Sequence, residues 1–425
     1  MNAEKNTVIL DNEATELAKE ETYEIDYNAD DIFERGANYL DELAKKNFFL
    51  DAVKNYLKKY LDLFSGDVEK TEDILAFLKA AYEKSGIKGD KKKGPFSYNP
   101  SSLKEWIDGK RLPSKAETQR LALCLSMNIL EATEFVFKGS LVKPFNFKEI
   151  QDSVYYFCLN TGKSFADAQR IIEEIEKSSV APEQFPENDT LIIGEYVKNV
   201  ETEEELIKYI AANKGGFGVQ NQTALAVLKE LLKKTAVLAE WERKNYFDDN
   251  EHFIAVNSEK DVPAILDVVL GYEARSKIGG VEVYEKKISE SNFPDLIKSN
   301  FPQPQQLQDI LNGKKTSVEA IRKAIILFTF YNTFAEIDKA EKEKKKSAKE
   351  IELIKSLAFY TYVDTVDEIL YKSGYIQMYW KHPYDWMFGY CAGATNPLDE
   401  LRLLIDEFYV DINDMYSEGS RDYNE

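Results

Sequence analysis

The sequence predicts an all-α, bi-lobed multi-helix protein in which one helix–glycine turn–helix unit is used twice. Three observations carry that prediction. Across 425 residues there are only 20 Gly and 12 Pro, and long Leu/Ile/Lys/Glu-rich segments separate them, favouring helices over many short strands. Hydrophobic residues at 44% and aromatics at 12% suffice for real cores in two or three domains. A short amphipathic helix closed by glycine occurs near 103–111 and again near 307–315.

Taken in order, residues 1–36 are acidic and read as a loose N-terminal tail, without the basic start and apolar run of a secretory leader. An N-terminal helical domain is expected over 37–180. Helical patterns at about 37–64 and 71–85 are separated by Ser65-Gly66. The loop 86–100, "GIKGDKKKGPFSYNP", carries three glycines and two prolines and cannot be an ordinary helix. The first unit follows at about 96–137. "NFKE" at 146–149 reads as a capping box opening a helix that carries Tyr155 and Cys158.

"SSVAPEQFPEN" at 178–188 is the clearest linker and introduces a middle helical segment, 181–290. There "TEEELIKYIAANKGGFG" predicts a helix ending at glycines, and "NQTALAVLKELLKKTAVLAEWERKNYF" a long one. "FIAV" and "GVEVYEKK" read as short strands around a helical "DVPAILDVVLGYEARSKI". A C-terminal helical domain at 291–412 holds the second unit, and 413–425 is a polar tail.

Several function classes fall away. The apolar run "AIILF" at 324–328 is far too short to cross a bilayer, so no membrane partner is expected and the cytoplasm is the expected compartment. Cys124, Cys158 and Cys391 form neither a CxxC pair nor an even disulfide set, and the last two read as buried packing residues. His252 and His382 each stand alone, and His382 falls among Tyr379, Trp380, Tyr384 and Trp386, as in an aromatic packing corner. No Walker loop, GxGxxG or GxSxG occurs, and the last glycine of "NKGGFG" at 213–218 is not followed by the lysine and serine of a phosphate cradle. The expectation is a non-catalytic protein without metal or cofactor.

The net charge of −20 repels bulk nucleic acid. Against that background residues 88–120 hold nine basic and four acidic side chains, a local +5. Within this patch lies "SSLKEWIDGKRLPS", residues 101–114. Leu103, Trp106 and Ile107 at i, i+3 and i+4 make one apolar helix face. Gly109 is placed for a left-handed C-cap, and Ser114 with Glu117 for a capping box on the next helix.

"LKEWIDGKRLPSKAETQRLALCLSMNILEA" resembles the C-terminal half of the lambda-repressor/Cro type of helix-turn-helix domain. The resemblance rests on a Trp-Ile helix ending in glycine, a basic-x-Pro-Ser step, and a helix alternating small residues with leucine. It covers about thirty residues. The family sets a scaffold helix directly before the reading helix, where this chain has the glycine- and proline-rich loop. What the resemblance implies is DNA contact by Lys91, Lys92, Lys93, Tyr98, Asn99, Ser101, Ser102, Lys104, Lys110, Arg111 and Lys115. These residue types suit phosphates and base edges. A scaffold that kept the packing and lost the DNA is the alternative.

"LKEWIDGKR" returns as "LQDILNGKK" at 307–315, followed by Thr316…Glu319 as Ser114…Glu117 follows the first. "YYFCLNTGKSFADAQRIIEE" at 155–174 likewise aligns without a gap on "FGYCAGATNPLDELRLLIDE" at 388–407. Two helix-turn-helix-like units related by internal duplication are therefore expected, with the charged run 338–352 inserted in the second copy. "PYDW" with "CA…NPLDELR" is similar to the tail of a group of helix-turn-helix-like proteins of low-GC Gram-positive bacteria, which implies no particular biochemistry. Two functional expectations result. One is a DNA-associated transcriptional regulator whose paired units suit half-sites about one helical turn apart. The other is an acidic helical protein-interaction module or inhibitor, of the kind a mobile element carries, acting on a basic, nucleic-acid-binding partner protein.

Overall fold

The computed structural model describes residues 39–60 (except 41 and 44), 64–90, 94–178, 190–218, 222–246, 256–271, 301–314 and 318–407. The acidic tail 1–36, Lys91–Lys93, most of the linker, "GVEVYEKK", His252, Thr316 and the tail 413–425 lie outside these residues. Among the described residues there are sixteen α-helices and only two strands, each of two residues. The protein is all-α. No described helix is long and apolar enough to cross a membrane.

The chain forms two compact units. The first comprises the described residues of Lys46–Val219, the second those of Thr22–Lys45 and Gln220–Glu425. The middle segment 181–290 is thus shared between units, because its early helices pack on the first core and its later ones on the second.

In the first unit the helices are α1 (Phe48–Lys59), α2 (Thr71–Lys84), α3 (Pro100–Ile107), α4 (Lys115–Cys124), α5 (Ile129–Ser140), α6 (Ile150–Thr161), α7 (Phe165–Lys177), α8 (Thr190–Asn199) and α9 (Glu203–Ala212). The expected helix 37–64 is interrupted at Lys46-Asn47, where Asn47 caps α1 by accepting from Leu50 N at 3.0 Å. α4 is the central helix: Thr118 to Cys124 are all buried, and α2, α5, α6 and α7 pack around it. Reciprocal capping boxes open α5 (Asn128 with Glu131), α7 (Ser164 with Asp167) and α9 (Thr202 with Glu205).

Two expected boxes differ. Ser114 accepts from Glu117 N at 3.3 Å, but the Glu117 carboxylate turns to Arg120, so that box is half formed. At 146–149 no box forms and α6 begins only at Ile150. There the buried Asp152 takes the Asn146 amide at 2.6 Å, which holds 146–149 as a turn.

The glycine-rich loop after α2 folds into β1 (Lys88–Gly89) and β2 (Ser97–Tyr98), paired in parallel. Tyr98 stacks on Tyr82 of α2 with centroids 4.6 Å apart, and the Arg120 guanidinium covers the Tyr82 ring at 5.4 Å. Arg120 also donates to Ser97 O at 2.9 Å, pinning the loop to α4.

The second unit contains α10 (Gln222–Tyr246), α11 (Val262–Val269), α12 (Pro304–Leu311), α13 (Val318–Lys342), α14 (Ala348–Lys372), α15 (Pro383–Ala392) and α16 (Pro397–Glu407). α13 is apolar around most of its circumference from Ala320 to Ala335 and lies among α10, α12, α14, α15 and α16. Gly389 of α15 is needed for close approach, since a Cβ there would fall 2.1 Å from the Trp380 ring.

The repeated segments agree locally. α3 and α12 are both eight-residue helices with Pro at the first position and a left-handed glycine, Gly109 or Gly313, after the C-cap. Matching bonds close each turn, Lys110 N to Glu105 O and Lys314 N to Asp309 O, both 2.9 Å. Beyond the turn they part: α4 and α5 are two helices broken at Asn128, whereas α13 runs unbroken for 25 residues. Cap geometry recurs; a duplicated domain fold is not shown.

Candidate nucleic-acid interface

α3 is fixed from both ends. The Asn99 side chain accepts from Ser101 N at 3.0 Å, and Pro100 takes the first helical position, where a missing N–H costs nothing. Leu103, Trp106 and Ile107 are buried, and the Trp106 ring meets Phe49 of α1 edge-on at 5.9 Å. At the far end Asn47 Nδ2 donates to Ile107 O at 2.7 Å. Gly109 has φ +72°, and a Cβ there would lie 3.1 Å from that same Asn47 nitrogen. The helix before α3 in the chain is α2, on the other side of the β1–β2 loop, and it packs on both α3 and α4.

The opposite face of α3 is open. Asn99, Ser101 and Lys104 are exposed and Ser102 is half-buried, with Lys104 in no ion pair. The remaining candidates separate into three groups. Lys110 and Arg111 are exposed but lie beside carboxylates, Lys110 at 3.6 Å from Asp108 and Arg111 at 2.7 Å from Glu105. Arg111 also donates to Ser102 Oγ. Lys115 is bound 2.5 Å from the buried carboxylate of Asp152, which also accepts from Gln119 Nε2 at 3.1 Å. Lys115 is therefore a half-buried lysine committed to a buried carboxylate of its own unit. Tyr98 is buried at 5% exposure and, as the stacking partner of Tyr82, does not line a groove. Lys91, Lys92 and Lys93 lie outside the described residues.

These pairings thin the positive patch. Arg120 is buried with Glu117 and Lys115 is neutralised by Asp152. On the described surface the cationic remainder is Lys88, Lys104, Lys110 and Arg111. The corresponding face of α12 presents Gln305, Gln308 and Asp309, with Lys314 held 2.8 Å from Asp309.

The other chemically suggestive residues have structural partners. His382 is the N-cap of α15: its Nδ1 accepts from Tyr384 N at 3.1 Å, and burial pushes its pKa down to about 4. Burial likewise raises the Cys124 thiol to about 11 and Cys158 to about 12. Arg322 and Asp385 form a buried bidentate pair at 3.0 and 2.6 Å, and Tyr379 N donates to the same carboxylate at 2.8 Å. Glu242 and Arg402 form a second at 2.8 and 3.0 Å, with Tyr331 Oη donating to Glu242 at 2.7 Å. Among the described residues no group of three or more His, Cys, Asp or Glu is placed to hold a metal ion.

The positioning role of Asn47 escaped sequence reasoning, since its partner is sixty residues away. The Glu105–Arg111 pair was more accessible, because a glycine turn after α3 folds residue 111 back on the helix end. No protein-family profile, curated protein or solved structure matches the chain.

Proposed function

We propose that the protein is a non-catalytic, DNA-associated regulator that contacts the phosphate backbone through the outer face of α3 and the turn after it. The observation that carries this reading is the exposed Lys104, which makes no ion pair, beside Asn99 and Ser101 on a helix anchored at both ends. A short polar helix face with a cation at its centre suits phosphates and base edges. With only a handful of free cations, binding is expected to be weak and steeply salt-dependent.

The test is fluorescence anisotropy on labelled duplexes from the gene's own upstream region, with salt raised from about 50 to 200 mM. Binding at low salt that disappears in the Lys104→Glu/Lys110→Glu/Arg111→Glu variant, and in Lys91→Glu/Lys92→Glu/Lys93→Glu, supports the reading. No binding by the wild-type chain at low salt sinks it.

A second reading is supported by a different observation. Arg111, Lys115 and Arg120 are each engaged by a carboxylate of the same unit, in a chain of net charge −20. That pattern suits an acidic interaction module or inhibitor acting on a basic, nucleic-acid-binding protein. It predicts failure of the anisotropy experiment together with salt-sensitive capture of such a partner.

A further inference from the structure

α14 buries Ile351, Ala358, Phe359, Tyr362, Val366 and Leu370 within its own unit. On its other side Leu353, Leu357 and Tyr360 are 60%, 50% and 44% exposed. Their spacing of four and three residues puts them on one line along the helix. The same line continues to Lys349 in one direction and to Asp364 and Glu368 in the other, and Lys346 lies just before the helix at the Lys349 end. The exposed stripe is therefore basic, then apolar, then acidic.

All four flanking charges are exposed. Lys346, Lys349 and Asp364 make no ion pair, while Glu368 meets only the exposed Lys372 one turn on. Three large apolar side chains in a row form a contiguous exposed stripe, unlike the singly scattered apolar residues of an ordinary surface.

We propose that this stripe is self-complementary and docks antiparallel on α14 of a second copy of the chain, about a two-fold axis at Leu357. In that register Leu357 meets Leu357 of the other copy and Leu353 meets its Tyr360. Lys349 then faces Asp364, and Lys346 faces Glu368. A two-fold contact requires that residue i meet j wherever j meets i, and every one of these pairings satisfies it. A parallel arrangement would set lysine on lysine and carboxylate on carboxylate at both ends, which disfavours it. The helical part of the seam, from Lys349 to Glu368, is about 29 Å long at the α-helical rise. A two-helix seam of that length lies at the small end of stable interfaces, so a micromolar dimer is expected.

The experiment is sedimentation velocity on the full chain over a micromolar concentration series. The wild type should shift from 48.8 kDa toward twice that mass as concentration rises. Leu357→Glu, which sets like charges at the axis, should remain monomeric. Asp364→Lys/Glu368→Lys and Lys346→Glu/Lys349→Glu should each weaken association at least tenfold. An equimolar mixture of those two variants should recover it, as should the quadruple variant carrying both reversals. The altered side chains are all exposed, and unchanged circular dichroism and melting temperature establish that each variant folds. A wild type monomeric at every concentration overturns the proposal. So does a dimer indifferent to Leu357→Glu and to both charge reversals.

Discussion

Asn47 Nδ2 donates to the carbonyl of Ile107 at 2.7 Å, while Asn47 Oδ1 accepts from Leu50 N at 3.0 Å. One side chain thus caps the start of α1 and satisfies the end of α3 across sixty residues. The outward face of α3 is held in place by this clasp and by Trp106 beneath it.

Asn47→Ala should cost roughly 1–3 kcal/mol, a lost cap plus an unsatisfied carbonyl. Asn47→Asp keeps the acceptor and loses the donor, so it should fall between wild type and alanine. Urea denaturation checks both. Equal stability of wild type and Asn47→Ala would show that the clasp carries no energy.

Trp106→Ala should cost roughly 3–5 kcal/mol, the range for deleting a core aromatic. Because the Trp106 and Phe49 rings meet edge-on, a double-mutant cycle with Phe49→Leu should show coupling of about 0.5–1.5 kcal/mol. Additive losses would remove the specific ring contact from the account.

The apolar period at Leu103, Trp106 and Ile107, the C-cap glycine and the helical class were legible because they follow from local rules acting within one turn of chain. The fate of the cations was not. Lys115 and Arg120 look like surface charges until folding brings Asp152, Ser97 and Tyr82 against them, at separations a linear reading does not rank. Tyr98 misled for the same reason: its ring is claimed by Tyr82 of the preceding helix. In the repeat, "LNGKK" specified its turn as faithfully as "IDGKR" did, but the lengths of the following helices depend on caps and core that the two segments do not share.

Lys104 and Lys115 should therefore respond oppositely to charge reversal. Lys104→Glu should leave the melting temperature nearly unchanged and weaken any DNA binding. Lys115→Glu sets a carboxylate against buried Asp152 and should destabilise the first unit by several kcal/mol. Differential scanning calorimetry with anisotropy separates the two; equal melting temperatures would contradict the internal pairing of Lys115.

Buried Asp267 should cost the second unit stability as pH rises through the mildly acidic range. Asp267 of α11 is buried at 1% exposure, neither of its carboxylate oxygens has a hydrogen-bond partner, and burial pushes its pKa up to about 7. Burial also raises Asp367 to about 7 and Asp338 to about 6. An unfolded aspartate titrates near 3.9, so between about pH 4 and 7 the folded state binds more protons than the unfolded one. Stability conferred by the protonated carboxyl is fully present below the unfolded value and is lost progressively until the pH passes the folded value. Asp267→Asn keeps the shape and removes the titration. It should gain on wild type with rising pH, by roughly 2–4 kcal/mol at pH 8 relative to its standing at pH 4. Chemical denaturation of both chains at several pH values reads the difference directly. A constant gap between wild type and Asp267→Asn would mean that this carboxyl does not change its proton occupancy on folding.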